Sequence, residues 1–105
     1  MGKVISVRIS HKLGADEARR RIETGFEELR RRFASHLSQS DATWTGQHAD
    51  VVIGFKGQTL RSGLDVAEDH VLVSVDLPWL LAPLATAAEK FLTRTGQEVL
   101  RIGKS

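Results

Sequence analysis

The chain has 105 residues, 41% of them hydrophobic and 27% charged, with a formal charge of +2 and no cysteine. That composition excludes a disordered or fibrous class, and the charge is too small to imply nucleic acid. Missing thiols exclude disulfides, thiolate catalysis and cysteine-based metal sites. No apolar run approaches the ~20 residues of a membrane span, and "MGKVISVRIS" carries no signal-peptide block. One cytoplasmic domain over residues 1–105, without a transmembrane segment, is expected.

In chain order, Ile5, Val7 and Ile9 alternate with Ser6 and Arg8, which predicts a half-buried strand over Lys3–Ile9. After "SHKLG" the period lengthens: Ala18, Ile22, Phe26, Leu29, Phe33 and Leu37 share one stripe, predicting a helix from about Ala15 to Ser38. Asp16 and Glu17 suit its positive end, and Gly25 on the stripe implies a close approach to the sheet. Short strands follow: "ATWT", then Val51–Phe55, Leu60–Val66 and Val71–Leu77, punctuated by "GQHAD", "KG" and "AEDH". Gly54, Gly57 and Gly63 read as bulges or turns. A last helix from about Ala82 to Ile102 places Leu84, Ala88, Phe91, Thr95, Val99 and Ile102 on one face, with Pro83 in its first turn and Gly103 at its end.

The order is strand, helix, four-strand meander, helix. Every strand has one apolar face and each helix one apolar stripe. An α+β architecture follows, an antiparallel sheet with both helices on one face. The other face is left to water or to a partner.

The arginine triplets of "ARRRIE" and "LRRRFA" have acids four residues ahead of them: Asp16 before Arg20, Glu17 before Arg21, Glu27 before Arg31 and Glu28 before Arg32. This favours a salt-bridged, solvated helix face over an anion site. No histidine sits at a metal-ligand spacing, so no metal site and no cofactor are expected. The polar candidates are His11, next to the helix start, and the turn residues Glu68 and Asp69, which read first as an ordinary polar turn. The remaining candidate is "DLPWLLAPL", a greasy junction where polar residues are the norm. Trp79 either caps the open end of the sandwich or, with Leu80 and Leu81, forms a hydrophobic docking surface. A chain this short barely fills its own core, so a large cavity is not expected.

The segments "ISHKLGADEARRRIE", "WTG", "FKG" and "LRSGLDVAEDHVLVSVDLPWLLAPL" resemble the family of polyhydroxyalkanoic acid system proteins over about Ile5 to Lys90. The matching positions include His11, Glu17, Arg19, Trp44, Gly46, Gly63, Glu68, Asp69, Trp79 and Pro83. After the proline the family's charged helix gives way here to the blander "LATAAEKFLTRTGQ". The resemblance implies a place, near bacterial polyester storage granules, more than a chemistry. It brings no catalytic residues, and the chain lacks both a synthase cysteine and a depolymerase serine elbow.

The expected function is therefore a non-enzymatic accessory protein of polyhydroxyalkanoate granules. It would bind the granule surface or a granule protein through Trp79, Leu80 and Leu81. The rival readings are a small carrier or sensor of an apolar hydroxyacyl ligand, gripped between the last helix and the sheet in a reduced helix-grip arrangement, and a scaffold that homodimerises through the open sheet face.

Overall fold

A computed structural model describes residues 3–55 and 57–102. Its elements are β1 (Lys3–Ser10), α1 (Ala15–Arg32), β2 (Leu37–Thr45), β3 (His48–Phe55), β4 (Gln58–Val66), β5 (His70–Leu77), a 3-10 turn (Trp79–Leu84) and α2 (Ala85–Ile102). All strand pairs are antiparallel in the order β1-β5-β4-β3-β2. The expected α+β order of strand, helix, four strands and helix is the observed one. Lys56 and Gly103, expected at a hairpin and at the last helix end, lie outside the described residues.

β1 and β2 are the two edges of the sheet, so the chain must cross its whole width between them. Four inter-strand steps of ~4.8 Å make about 19 Å. The 18 residues of α1 span about 27 Å at 1.5 Å each, and a diagonal helix therefore covers the distance. Register puts like faces together: Ile5 opposes Val75, Val7 opposes Val73 and Ile9 opposes Val71. These residues, with Val66, Leu77, Ala18 and Leu100, form the buried core under the helices. On the opposite face Arg8 pairs with Leu72 and Ser6 with Ser74.

The first helix is shorter than its stripe predicts. At Phe33 the backbone leaves helical geometry while its N–H still bonds the Leu29 carbonyl. His36 N–H then closes a turn on the Phe33 carbonyl, 2.9 Å away. Leu37 belongs to β2, where it opposes Phe55. The three-four spacing runs on through Phe33 and Leu37 by coincidence, because pairing with β3 satisfies the backbone of 37–45 more completely than another helical turn could. Leu84 and Phe91 also depart from expectation. They are 56% and 61% exposed rather than buried on the last helix's inner face.

Gly25 marks a close approach, but to α2 and not to the sheet. A Cβ there would lie 2.6 Å and 2.9 Å from the two methyl carbons of Val99, with the Val99 Cβ itself at 3.2 Å. Rotating Val99 cannot clear both methyls, so α1 and α2 would have to part. Gly25→Ala should cost about 1–2 kcal/mol of stability, because overpacking outweighs the ~1 kcal/mol gain in helix propensity. Adding Val99→Ala should recover more than an independent pair of changes would allow. Denaturant melts of the four members of this double-mutant cycle check it, and simple additivity would dismiss the contact.

Candidate functional site

The inner faces of β3, β4 and β5 carry short side chains at their centre. Ser62 lies between Val51 and Val75 in register, and Ala49 opposes Leu64. The helices meet at Gly25 and Val99, and Arg21 of α1 donates to the Leu100 carbonyl of α2. Beyond that contact the short floor residues and the two helices enclose an apolar cleft of about 350 Å³. The expectation of a filled core is thus corrected. Val51, Ser62, Val73 and Val75 on the floor and Ala88 and Thr95 of α2 are small side chains that leave space between the layers.

Polar side chains are nearly absent from the lining: only Ser62 and Thr95 contribute hydroxyls. Ser62 donates its proton to the Ser74 carbonyl at 2.8 Å, which leaves its oxygen able to accept one further bond. Phe91 stands at the margin of the cleft, lining it while largely exposed. A second hollow of about 240 Å³ lies beside α1 and shares Ile22, Phe26, Val51 and Leu64 with the first. The guanidinium of Arg30 sits 5.9 Å from the Phe26 ring there, but it also bonds Glu27 and Ser40.

The greasy junction forms the 3-10 turn. Pro78 accepts the Leu81 N–H at 2.8 Å, which starts the turn. Leu81 is tucked against the core, whereas Trp79 is 68% and Leu80 56% exposed. With Leu84 they make an apolar surface within six residues of chain.

The three polar candidates come together at the start of α1. Gly14, at φ 80°, offers no side-chain cap to the helix. Glu68 reaches across from the β4–β5 turn and accepts the Ala15 N–H at 3.3 Å, an acid placed at the positive helix end. His11 donates its backbone N–H to the Asp69 carbonyl at 2.9 Å. Its Nδ1 accepts the Leu13 N–H at 3.1 Å, so Nε2 carries the proton toward the Ala67 carbonyl, also 3.1 Å away. The Asp69 carboxylate instead pairs with His70 at 2.8 Å, a hydrogen bond that holds its pKa below the usual value. All three thereby tie the loop to the turn.

The arginine face is salt-bridged mostly at a spacing of three. Glu17 holds Arg20, Glu27 holds Arg30 and Glu28 holds Arg31, while Glu17–Arg21 and, in the reverse order, Arg19–Glu23 meet at a spacing of four. Arg19 has a different task. It lies over the Trp44 ring, 4.6 Å from its centre, and donates to the Gly46 carbonyl at 2.6 Å, bolting α1 to the β2–β3 hairpin.

One charged group went unnoticed in the sequence. His48 bridges Asp65, its partner in register across β3 and β4, at 2.7 Å and Asp50, two residues along the same strand, at 3.2 Å. Its pKa is raised, chiefly by the hydrogen bond to Asp65 and then by that to Asp50. A raised histidine contributes stability that is fully present below its unfolded pKa near 6.5 and is lost as pH rises through the folded value. Asp65→Asn should therefore lower the His48 titration midpoint in an NMR titration more than Asp50→Asn does. Equal midpoints in the parent and both variants would contradict the bridge.

Among the described residues no helix is long and apolar enough to cross a membrane. No curated protein matches this chain. A solved structure titled "Crystal structure of Ara h 8.0201" aligns with 96% of this chain and 94% of its own, at 11% identity and a TM-score of 0.45. The profile of the family described as "Putative polyhydroxyalkanoic acid system protein" matches residues 5–100. The match takes in both helices, all five strands and the cleft between them, and the chain belongs to that family.

Proposed function

We propose that this chain is a non-enzymatic accessory protein of polyhydroxyalkanoate storage that docks on the granule surface through Trp79, Leu80 and Leu84. The observation that carries this reading is the solvent exposure of those three side chains on one short 3-10 turn, while their neighbour Leu81 stays tucked against the core. Family membership supplies the kind of surface, an ester polymer with little to offer a charged face. Burying a large apolar side chain is worth about 1.5–3 kcal/mol, so a few anchors give reversible adsorption.

The test is sedimentation of the purified protein with protein-stripped granules, with Trp79 emission followed in a Trp44→Phe background. Pelleting with a blue shift of that emission is the expected result. Protein that pellets only with native, coated granules would assign the contact to a granule protein instead. Protein that stays in the supernatant with both would end the docking reading.

A second reading rests on the apolar cleft. The protein carries or senses a hydroxyacyl ligand, and docking brings the cleft to the place where such chains are stored or released.

A further inference from the structure

We infer that the cleft is a binding site for one medium-length 3-hydroxyacyl chain of roughly eight to twelve carbons, with Thr95 and Ser62 as the partners of its hydroxyl. This deepens the carrier reading above and rests on it, but it does not depend on granule docking. Size sets the first limit. The volume of about 350 Å³ lies at the lower end of the range of small-molecule sites. With a methylene taking about the ~30 Å³ share of a liquid water, it holds a single chain of the stated length.

Wall chemistry sets the second limit. The lining is almost wholly hydrocarbon, contains no charged side chain and has aromatic rings only at Phe26 and Phe91. A carboxylate, phosphate or nucleotide has no partner inside, so any such head group must remain at the mouth. Branched and small side chains such as Val73, Leu92 and Ala88 favour a flexible chain over a flat ring system. The two hydroxyls set the third limit. Ser62 has spent its proton on the Ser74 carbonyl and can still accept, and Thr95 can donate or accept. A hydroxyl on the chain finds a partner on the floor or on α2, whereas a plain alkyl chain leaves both unused.

The experiment is thermal unfolding and calorimetric titration of the full chain with 3-hydroxydecanoate, decanoate and 3-hydroxybutyrate, all below their micellar concentrations. We expect 3-hydroxydecanoate to raise the melting temperature by roughly 10 °C at a hundredfold excess over its Kd. Decanoate should bind about threefold to tenfold more weakly, the scale of one hydrogen bond. The four-carbon acid should give no shift.

Thr95→Val keeps the volume and removes one of the two hydroxyls, so it should bring the affinity for 3-hydroxydecanoate part of the way down toward that of decanoate. Ala88→Trp fills the cleft and should abolish binding of both while the circular dichroism stays native. If Ala88→Trp fails to fold, Ala88→Phe serves the same purpose. No shift with any of the three acids, or unchanged binding in a folded, filled variant, overturns the site. Equal affinity for decanoate and 3-hydroxydecanoate in the parent overturns the hydroxyl assignment. A protein that binds the acid yet ignores granules would sink docking alone, and the reverse result would sink the cleft alone.

Discussion

Trp79→Ser combined with Leu80→Ser should release the protein from stripped polyester granules, with affinity falling at least a hundredfold. The two side chains are 68% and 56% exposed, so they contribute little to the folded core and much to any surface that covers them. Each is worth about 1.5–3 kcal/mol when buried, and 1.4 kcal/mol is a decade in affinity. Loss of both therefore removes roughly two to four decades, less the ordering cost that the parent bears on adsorption. Melting temperature should hardly move, because exposed substitutions generally stay within about 0.5 kcal/mol. Leu81→Ser is the informative contrast. That side chain packs on the core, so its replacement should lower stability and leave the adsorption of the folded fraction intact. A double variant that pellets like the parent would remove the anchor assignment.

The fold was readable because strands with one apolar face announce themselves through period two, and the register places Ile5, Val7 and Ile9 against Val75, Val73 and Val71 as the alternation implies. The end of α1 was not readable. Phe33 and Leu37 continue the helical spacing, and only the pairing of Leu37 with Phe55, eighteen residues later in the chain, breaks it. Site residues divide in the same way. Trp79 and Leu80 stood out because a junction is an odd place for them. The His48–Asp65 bridge did not, since that meeting depends on strand register.

The cleft was invisible for a different reason. Phe26, Leu64 and Thr95 each read correctly as inward positions, but a stripe says nothing about whether opposing side chains reach one another. The usable signals were small residues on facing elements. Ser62 interrupts Leu60, Leu64 and Val66 on β4, while Ala88 and Thr95 line the cleft from α2. Gly25 shows the same limit, since its place on the stripe indicated contact while the partner, Val99, required the helix arrangement.

Arg21→Met should lower the melting temperature by about 6 °C or more, a larger effect than an exposed arginine could have. Arg21 is only 8% exposed, and its guanidinium donates to the Leu100 carbonyl at 2.5 Å and to Glu17 at 2.7 Å. Leu100 lies in the last turn of α2, where carbonyls have no partner within the helix and the dipole favours a cation. Leu100 is itself buried, so water cannot readily replace the lost donor. Leaving that acceptor orphaned should cost about 1.5–3 kcal/mol, and a domain this size loses roughly 4–8 °C per kcal/mol. Methionine retains the apolar stem, so the change isolates the guanidinium.

The acid limb of the same experiment tests the Glu17 end of the link. Hydrogen bonds from Arg20 first and Arg21 second hold the Glu17 carboxyl at about 2. A depressed carboxyl contributes stability that is present above its ordinary value of 4.5 and is lost as pH falls toward about 2. The gap in melting temperature between parent and Arg21→Met should therefore narrow between pH 5 and pH 2. It should not close, because the bond to Leu100 does not titrate. Arg21→Lys should fall between the two, since an ammonium lacks the planar fork that serves both acceptors. Equal melting curves for parent and Arg21→Met across that range would mean that α2 is held by its apolar face alone.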